Sequence, residues 1–143
     1  MATTKTVLIT GAAGNLGGKL RRHLEAQGDY TLRLLDRDAQ GDAAIQTADL
    51  SRYDEAWANL FKGVDAVVHL AADPSPRADW ESVQRLNLDL MFNVFITAQR
   101  QGAQRVIFAS SNWTMAGHRY RRIALTAETP PAPVNPYGAS KLV

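Results

Sequence analysis

Residues 5–17 read KTVLITGAAGNLG, and this stretch decides the fold. Its first part, Lys5–Thr10, is an apolar run of the kind that forms a buried strand. Leucines then recur at every fourth position, which predicts one apolar stripe of a helix ending at Gly28 and Asp29; they are Leu16, Leu20 and Leu24. The sequence therefore predicts a strand, a glycine-rich turn and a helix in immediate succession.

The glycine-rich turn has the spacing G-x-x-G-x-x-G, which in this context is typical of a dinucleotide site. Gly11 allows a tight turn, Gly14 lets the backbone approach a pyrophosphate, and Gly17 lets the helix pack on the strand. The helix N-terminus offers unpaired N–H groups and a positive dipole end to phosphates. We predict that the turn binds the dinucleotide through Gly11, Gly14, Asn15, Leu16 and Gly17. The alternative is a glycine turn without a ligand.

Strand-like and helical runs alternate along the rest of the chain. A polar loop then leads to Asn135, which we expect to be the N-cap of a last helix with Pro136 at its first position. This alternation predicts an α/β fold, a Rossmann-type doubly wound parallel sheet with strand order 3-2-1-4-5. The further predicted strands are Tyr30–Asp36, Ala43–Ala48, Val64–Ala72 and Arg105–Ala109, and the further helices are Asp54–Lys62 and Asp79–Gln101.

Length, composition and charge exclude several classes of protein. The 143 residues are 45% apolar and 21% charged, which is ordinary for one soluble globular domain. A net charge of +2 is too small to indicate nucleic acid, and no run of about 18 uncharged apolar residues predicts a membrane span. The chain has no cysteine and its three histidines lack ligand spacing, so we expect no metal site. A cytoplasmic location is compatible with the lack of cysteine.

Carboxylates follow the predicted second and third strands. Asp36 ends the second strand, where an acid accepts hydrogen bonds from an adenosine ribose. A carboxylate there repels a 2′-phosphate, so NAD is favoured over NADP, although Arg37 offers such a phosphate a partner. Asp49 and Leu50 follow the third strand, and we expect their side chain and backbone to meet the adenine edge. The ordinary alternative for these aspartates is a solvated turn.

The second motif with chemical meaning is Tyr137-Gly-Ala-Ser-Lys141. Residues four apart share a helix face, and an ammonium beside a phenol favours the phenolate, so Tyr137 can act as a general base or acid. Ser110 and Ser111 follow the fifth strand, at the sheet edge where ligands bind, and a hydroxyl there can hold a substrate oxygen. Each motif alone has a structural alternative, a surface pair or a strand-ending turn. Their order after the glycine motif favours the chemical interpretation.

These motifs together resemble the extended short-chain dehydrogenase/reductase family, which includes NAD-dependent sugar epimerases, dehydratases and dehydrogenases. The resemblance implies an NAD cleft lined by Leu70, Ala71 and Ala72. It implies that Ser111 and Tyr137 contact the reacting hydroxyl and that Lys141 holds the nicotinamide ribose. The motifs that carry the resemblance are GAAGNLG, Asp36, Asp49-Leu50, His69-Leu-Ala-Ala72, Asn87 (also assigned to the cofactor), Ser110-Ser111 and Tyr137-x-x-x-Lys141.

Within that family, residues 105–117 (RVIFASSNWTMAG) are most similar to the uronate dehydrogenases. Those enzymes oxidise the anomeric carbon of a uronic acid and pass a hydride to NAD. Trp113 departs from their pattern, which usually has histidine at that position, and the loop 73–77 also differs. The likeness implies substrate contacts from Ser75, Ser111, Asn112 and Tyr137.

Family members carry a C-terminal portion of comparable size that closes over the substrate. We expect residues 1–143 to be the NAD-binding Rossmann domain, cut short in the helix after Tyr137, with that substrate portion absent. The chain would then be either a fragment or a truncated relative.

Three functions stay open from the sequence. The first is an NAD-dependent oxidoreductase acting on a sugar or sugar acid. The second is a nucleotide-sugar epimerase or dehydratase that retains its NAD. The third, from another class, is a non-catalytic NAD-binding module. The expected partner is a small sugar molecule, with no nucleic acid and no membrane, and a homodimer through the Asp79–Gln101 helix is a further option.

Overall fold

A computed structural model describes residues 4–143 and contains one parallel five-stranded sheet. Its strands run in the order β3-β2-β1-β4-β5, which confirms the predicted topology. The strands are β1 (Lys5–Thr10), β2 (Tyr30–Asp36), β3 (Ile45–Thr47), β4 (Ala66–His69) and β5 (Arg105–Phe108).

The strand register brings three side chains into one row across the sheet. Thr10 at the end of β1 pairs with His69 at the end of β4, and His69 pairs with Phe108 at the end of β5. β1 is central, and Leu8 and Ile9 are fully buried, as expected of a strand covered on both faces. The carboxyl ends of β1, β4 and β5 therefore meet at one edge.

Helices cover both faces of the sheet, so the doubly wound prediction is confirmed. The first is α1 (Asn15–Gln27), which Gly28 ends in the left-handed conformation at φ 74°. It packs with Val7, Ile9 and Leu34 on one face. On the other face, α2 (Glu55–Ala58) and α4 (Leu90–Arg100) pack against Leu8, Leu35 and Val67. The remaining helices are α3 (Trp80–Val83) and α5 (Pro136–Ser140).

The predicted long helix is one helical run with a wider turn inside it. α3 begins after its N-cap Asp79, a π-helical segment spans Gln84–Asp89, and α4 continues from there. The π-helical segment contains Asn87, which is buried. Such segments are rare and are found frequently at functional sites. The outer side of this run exposes Trp80, Phe92 and Ile96.

Several predicted elements were too long, among them the fifth strand, which ends at Phe108 and not at the predicted Ala109. β3 lacks Ala43 and Ala44 because a turn holds them, with the Ala44 N–H donating to Asp42 Oδ1 at 2.9 Å. β4 stops at His69, where the Thr10 hydroxyl accepts the N–H groups of Leu70 and Ala71, although the Leu70 N–H also donates to the Thr10 carbonyl oxygen at 3.2 Å. The predicted helix 54–62 begins after its cap Asp54 and ends in a 3-10 turn over Asn59–Phe61.

The predicted polar loop before Asn135 was wrong in part, because it contains a 3-10 helix at Asn112–His118. The Ser111 hydroxyl accepts the Trp113 N–H at its start. Two backbone hydrogen bonds with Ala132 then hold this helix. The Gly117 N–H donates to the Ala132 carbonyl oxygen, and the Ala132 N–H donates to the Thr114 carbonyl oxygen. The predicted cap at Asn135 is confirmed: its Oδ1 accepts the Gly138 N–H at 2.7 Å. Among residues 4–143, no helix is both long and apolar enough to span a membrane.

Candidate functional site

A cleft of about 680 Å³ follows the carboxyl ends of β1, β2 and β4. Most residues predicted to bind the cofactor lie in it, although the sequence places them far apart. The predicted residues that line it are Gly11, Gly14, Asn15, Leu16, Gly17, Asp36, Arg37, Asp49, Leu70, Ala71 and Ala72. The cleft is therefore an elongated site whose polar groups come from one loop and two strand ends.

Two glycines of the turn are required by close backbone approach. Gly11 has φ 73°, and a Cβ there would lie 2.8 Å from the Ala71 nitrogen. A Cβ on Gly17 would lie 2.1 Å from the carbonyl oxygen of Gly11. The N-cap of α1 is the exposed Gly14, without a side-chain cap, so a bare helix N-terminus faces the cleft. These features fit a pyrophosphate.

Asp36 lines the cleft at the end of β2. Its Oδ2 accepts the Ala13 N–H at 2.9 Å, and its Oδ1 accepts the Asp38 N–H at 3.3 Å. An ionised carboxylate has about four acceptor sites, so ribose hydroxyls can still donate to it. Arg37 beside it is exposed.

Asp49 and Leu50 separate in the structure. Asp49 lines the cleft, and the hydrogen bond from the Ser51 hydroxyl at 2.7 Å is the main cause that lowers the pKa of its carboxyl. Leu50 is 2% exposed and packs in the core. Its carbonyl oxygen accepts the Asn93 side-chain amide at 3.0 Å. Leu50 thus contributes core packing, and Asp49 faces the cleft.

The sequence missed several residues of the cleft. Leu86 and Leu90, in the helical run that follows Asp79, also face the cleft. Gln40 lines it from a turn and is the one non-glycine residue of 4–143 with a positive φ, 49°. Neighbouring Gly41 was the available signal for that turn. The other missed lining residues are Asp73 and Pro74.

The Tyr137–Lys141 pair forms at α5, beside the end of β5. Lys141 is the C-cap of this helix, and its Nζ lies 6.0 Å from the centre of the Tyr137 ring. Lys141 is 6% exposed, and this burial lowers the pKa of its ammonium. The Ser110 hydroxyl donates to the Lys141 carbonyl oxygen at 2.8 Å. Ser110 thus fixes the helix end to the strand end.

Ser111 and Ser75 have structural partners. The Ser111 Oγ accepts the Trp113 N–H at 3.2 Å, which leaves its own hydrogen free to donate. The Ser75 Oγ accepts the Arg77 N–H at 3.2 Å. Asn112 is exposed at the start of the 3-10 helix. The Trp113 ring lies 5.3 Å from the Arg119 guanidinium carbon.

Asn87 connects elements rather than lining the cleft. Its Oδ1 accepts the Asp73 N–H at 2.8 Å, and its Nδ2 donates to the Asp73 carbonyl and to the Ser140 hydroxyl. It is 4% exposed, and these bonds use all its amide atoms. Asn87 therefore joins the helical run, the loop after β4 and α5.

Comparison with known proteins places these features in a family. The sequence model of the NAD dependent epimerase/dehydratase family matches residues 7–143. The predicted family resemblance is confirmed, and the family's description confirms NAD as the cofactor class. This includes the predicted likeness to uronate dehydrogenases, which are among the relatives.

Two curated relatives and one solved structure illustrate the match. The NAD-dependent glucose-6-phosphate dehydrogenase of Haloferax volcanii is 35% identical over 94% of this chain and 58% of its own. The uronate dehydrogenase of Pseudomonas putida is 36% identical over 99% of this chain and 54% of its own. A short-chain dehydrogenase/reductase superfamily protein from Agrobacterium tumefaciens with bound NAD has a TM-score of 0.84 and 30% identity, over 96% of this chain and 42% of its own. The chain thus spans about half the length of these relatives.

Proposed function

This chain belongs to the NAD-dependent epimerase/dehydratase family, and from that premise we propose that it is part of an NAD-dependent oxidoreductase that acts on a sugar or sugar acid. Residues 1–143 act as the NAD-binding Rossmann domain. The observation that carries the proposal is the Tyr137–Lys141 pair at the end of β5, on the same sheet edge as the glycine-lined cleft.

The residues of the cleft fit NAD in shape and charge. The bare N-terminus of α1 takes the pyrophosphate, and the Asp36 carboxylate accepts the hydroxyls of the adenosine ribose. Asp49 also lines the cleft, and we propose that it meets the adenine. The negative charge of Asp36 disfavours a 2′-phosphate, so NAD is preferred over NADP. Arg37 moderates this preference because it is exposed next to Asp36.

The reaction removes a proton and a hydride from one sugar alcohol. NAD, when bound, accepts the hydride from the carbon. The Tyr137 phenolate takes the hydroxyl proton, and the Lys141 ammonium stabilises that phenolate. Ser111 donates its free hydrogen to the sugar oxygen as the carbonyl forms. Lys141 also holds the nicotinamide ribose.

The substrate we propose is a uronic acid oxidised at its anomeric carbon. The support is the sequence of residues 105–117 and the presence of uronate dehydrogenases among the relatives. Asn112 and Ser75 then contact the sugar together with Ser111. Trp113 stands where that group usually has histidine.

A second candidate is a nucleotide-sugar epimerase or dehydratase, which the family's description also covers. Such an enzyme keeps its NAD and regenerates it, so no NADH accumulates. A third candidate is an NAD-binding module that has no turnover. Release of NADH on addition of substrate separates the dehydrogenase from the other two candidates. Conversion of a nucleotide sugar without release of NADH separates the epimerase or dehydratase from the binding module.

The experiment adds a panel of uronic acids, aldoses and sugar phosphates to the complete natural protein with NAD and follows NADH absorbance. We expect NADH to accumulate with a uronic acid. The matched variant is Tyr137→Phe, which removes one hydroxyl and should lower kcat about 100- to 10,000-fold while NAD binding stays the same. Retained turnover in this variant would overturn the mechanism, and NAD binding without NADH release from any sugar would favour the other candidates.

A further inference from the structure

Lys141 carries a buried charge that no acid compensates within the described residues. Both ion pairs found in residues 4–143 are made by Arg21, with Glu25 and Asp42. Lys141 is 6% exposed, and burial lowers the pKa of its ammonium. A buried charge without a partner is strongly unfavourable. A neighbouring group that attracts a cation would therefore stabilise this ammonium.

The ring of Phe108 is the nearest such group. The Lys141 Nζ lies 4.8 Å from the centre of this ring, closer than the 6.0 Å to the Tyr137 ring. Both distances are within the range in which an aromatic face attracts a cation, and the attraction is strongest where water is excluded. Phe108 is thus placed to act as the counter-group for the ammonium.

Two neighbouring rings fix the orientation of Phe108. His69 is its partner in the sheet register, and their rings are stacked with centres 5.8 Å apart. Phe95 on α4 meets the edge of both, with centres 5.8 Å from Phe108 and 6.0 Å from His69. The aromatic face offered to Lys141 is therefore held in place by packing on two elements.

The histidine of this cluster is kept neutral mainly by burial, and Thr10 contacts its ring. The Thr10 hydroxyl oxygen accepts the N–H groups of Leu70 and Ala71, so its own hydrogen points to His69 Nδ1, 2.7 Å away. A doubly protonated imidazole would lose this hydrogen bond. Burial, and secondarily the charge of Lys141, lower the pKa of His69 to about 3. The ring beside Phe108 thus adds no second positive charge.

We propose that Phe108 is a positioning residue for the reaction proposed above, its ring holding the Lys141 ammonium beside Tyr137 in the place of a carboxylate. The inference rests on the proposed function for its catalytic consequence. The contact between ring and ammonium stands by itself and can be tested without turnover. The titratable groups beside Lys141 are Tyr137 on its own helix and His69 on β4.

The test compares Phe108→Leu with Phe108→Tyr in the complete natural protein. Leucine keeps an apolar side chain without an aromatic face, whereas tyrosine keeps the face. Lysine is labelled with ¹³C, and Lys141→Arg identifies the Lys141 signal. We expect the Lys141 Hε and Cε signals to be shifted upfield by the ring in the parent and in Phe108→Tyr, and to lose that shift in Phe108→Leu. The pKa of Lys141 should fall further in Phe108→Leu, because a stabiliser of the cation is gone.

Activity gives the second readout. With a substrate, Phe108→Leu should lower kcat about 3- to 30-fold, and Phe108→Tyr should restore it, while the affinity for the adenosine half of NAD stays the same. Far-UV circular dichroism checks the fold, and Phe108→Met replaces the leucine variant if that variant does not fold.

The outcomes separate the two proposals. A Lys141 signal and pKa that do not change between the parent and the non-aromatic variant would overturn the role of Phe108, whatever the activity. If the parent oxidises no sugar, the proposed function fails, but the NMR comparison still decides whether the ring holds the ammonium.

Discussion

The Asp36 carboxylate accepts the backbone N–H of Ala13 at 2.9 Å, so the end of β2 is tied directly to the glycine turn. The residue expected to hold the ribose therefore also shapes the loop expected to hold the pyrophosphate. Two substitutions can separate these roles of Asp36. Asparagine removes the negative charge but keeps an acceptor oxygen, whereas alanine removes both.

We predict that Asp36→Asn lowers NAD affinity about 10- to 100-fold, since hydrogen bonds to a charged group contribute about 1.5–3 kcal/mol. NADP affinity should fall less, so the preference between the two cofactors narrows. Asp36→Ala should also lower the free energy of unfolding by about 1 kcal/mol, because the tie to Ala13 is lost. Isothermal titration and chemical denaturation measure both effects. Unchanged NAD affinity in Asp36→Asn would show that this carboxylate does not bind the ribose.

Two adjacent glycines of α1 give a matched pair of variants. Gly17→Ala places a Cβ 2.1 Å from the Gly11 carbonyl oxygen, and we expect it to lower the free energy of unfolding by about 3 kcal/mol or more. It should also abolish NAD binding. Gly18→Ala meets only the Arg22 guanidinium at 3.6 Å, so it should stabilise the helix by about 0.5–1 kcal/mol. Thermal unfolding measures the change in stability of each variant, and equal changes in the two would contradict the close approach at Gly17.

The buried imidazole of His69 makes stability depend on pH. Its pKa is lowered to about 3 in the folded chain, mainly by burial, from an ordinary value of 6.5. Between these values the unfolded chain binds more protons, so stability falls as the pH falls through this window. We predict that His69→Gln reduces the stability lost between pH 7 and pH 5 by about 2 kcal/mol. Urea denaturation at the two pH values measures this.

The control for that comparison is His23→Gln on the exposed surface of α1. It removes a histidine without touching the cluster of rings. If the two variants show the same dependence of stability on pH, His69 is not the group responsible.

Asn87 should be structurally more important than Asn93, although both lie in the same helical run. Asn87→Leu leaves the Asp73 N–H, the Asp73 carbonyl and the Ser140 hydroxyl without their partner. We expect a loss of about 2–3 kcal/mol in the free energy of unfolding. Asn93→Leu removes one bond, to the Leu50 carbonyl, and should cost about 1 kcal/mol. Guanidinium denaturation ranks the two, and a larger loss in Asn93→Leu would contradict the linking role of Asn87.

Local patterns were sufficient for the glycine turn and the central strands. β1, β2 and the start and end of α1 lie where the sequence predicted them, because their signals are the spacing of apolar residues and a helix-ending glycine. Boundaries failed where a side chain competes with the sheet. The Thr10 hydroxyl accepts the N–H groups of Leu70 and Ala71 where β4 ends, and no pattern within β4 shows that threonine.

The sequence by itself determined the sheet order and the cleft that follows it, because alternating strands and helices with right-handed crossovers leave few topologies. Only the tertiary structure decided which side chains meet at the end of β5. Phe108 lies against His69 because β4 and β5 pair in one register, and against Lys141 because the Ser110 hydroxyl holds the end of α5. The tertiary structure also decided the burial of Leu50 and the hydrogen bonds of Asn87. They depend on contacts between residues distant along the chain, and such contacts leave no periodic trace in the sequence.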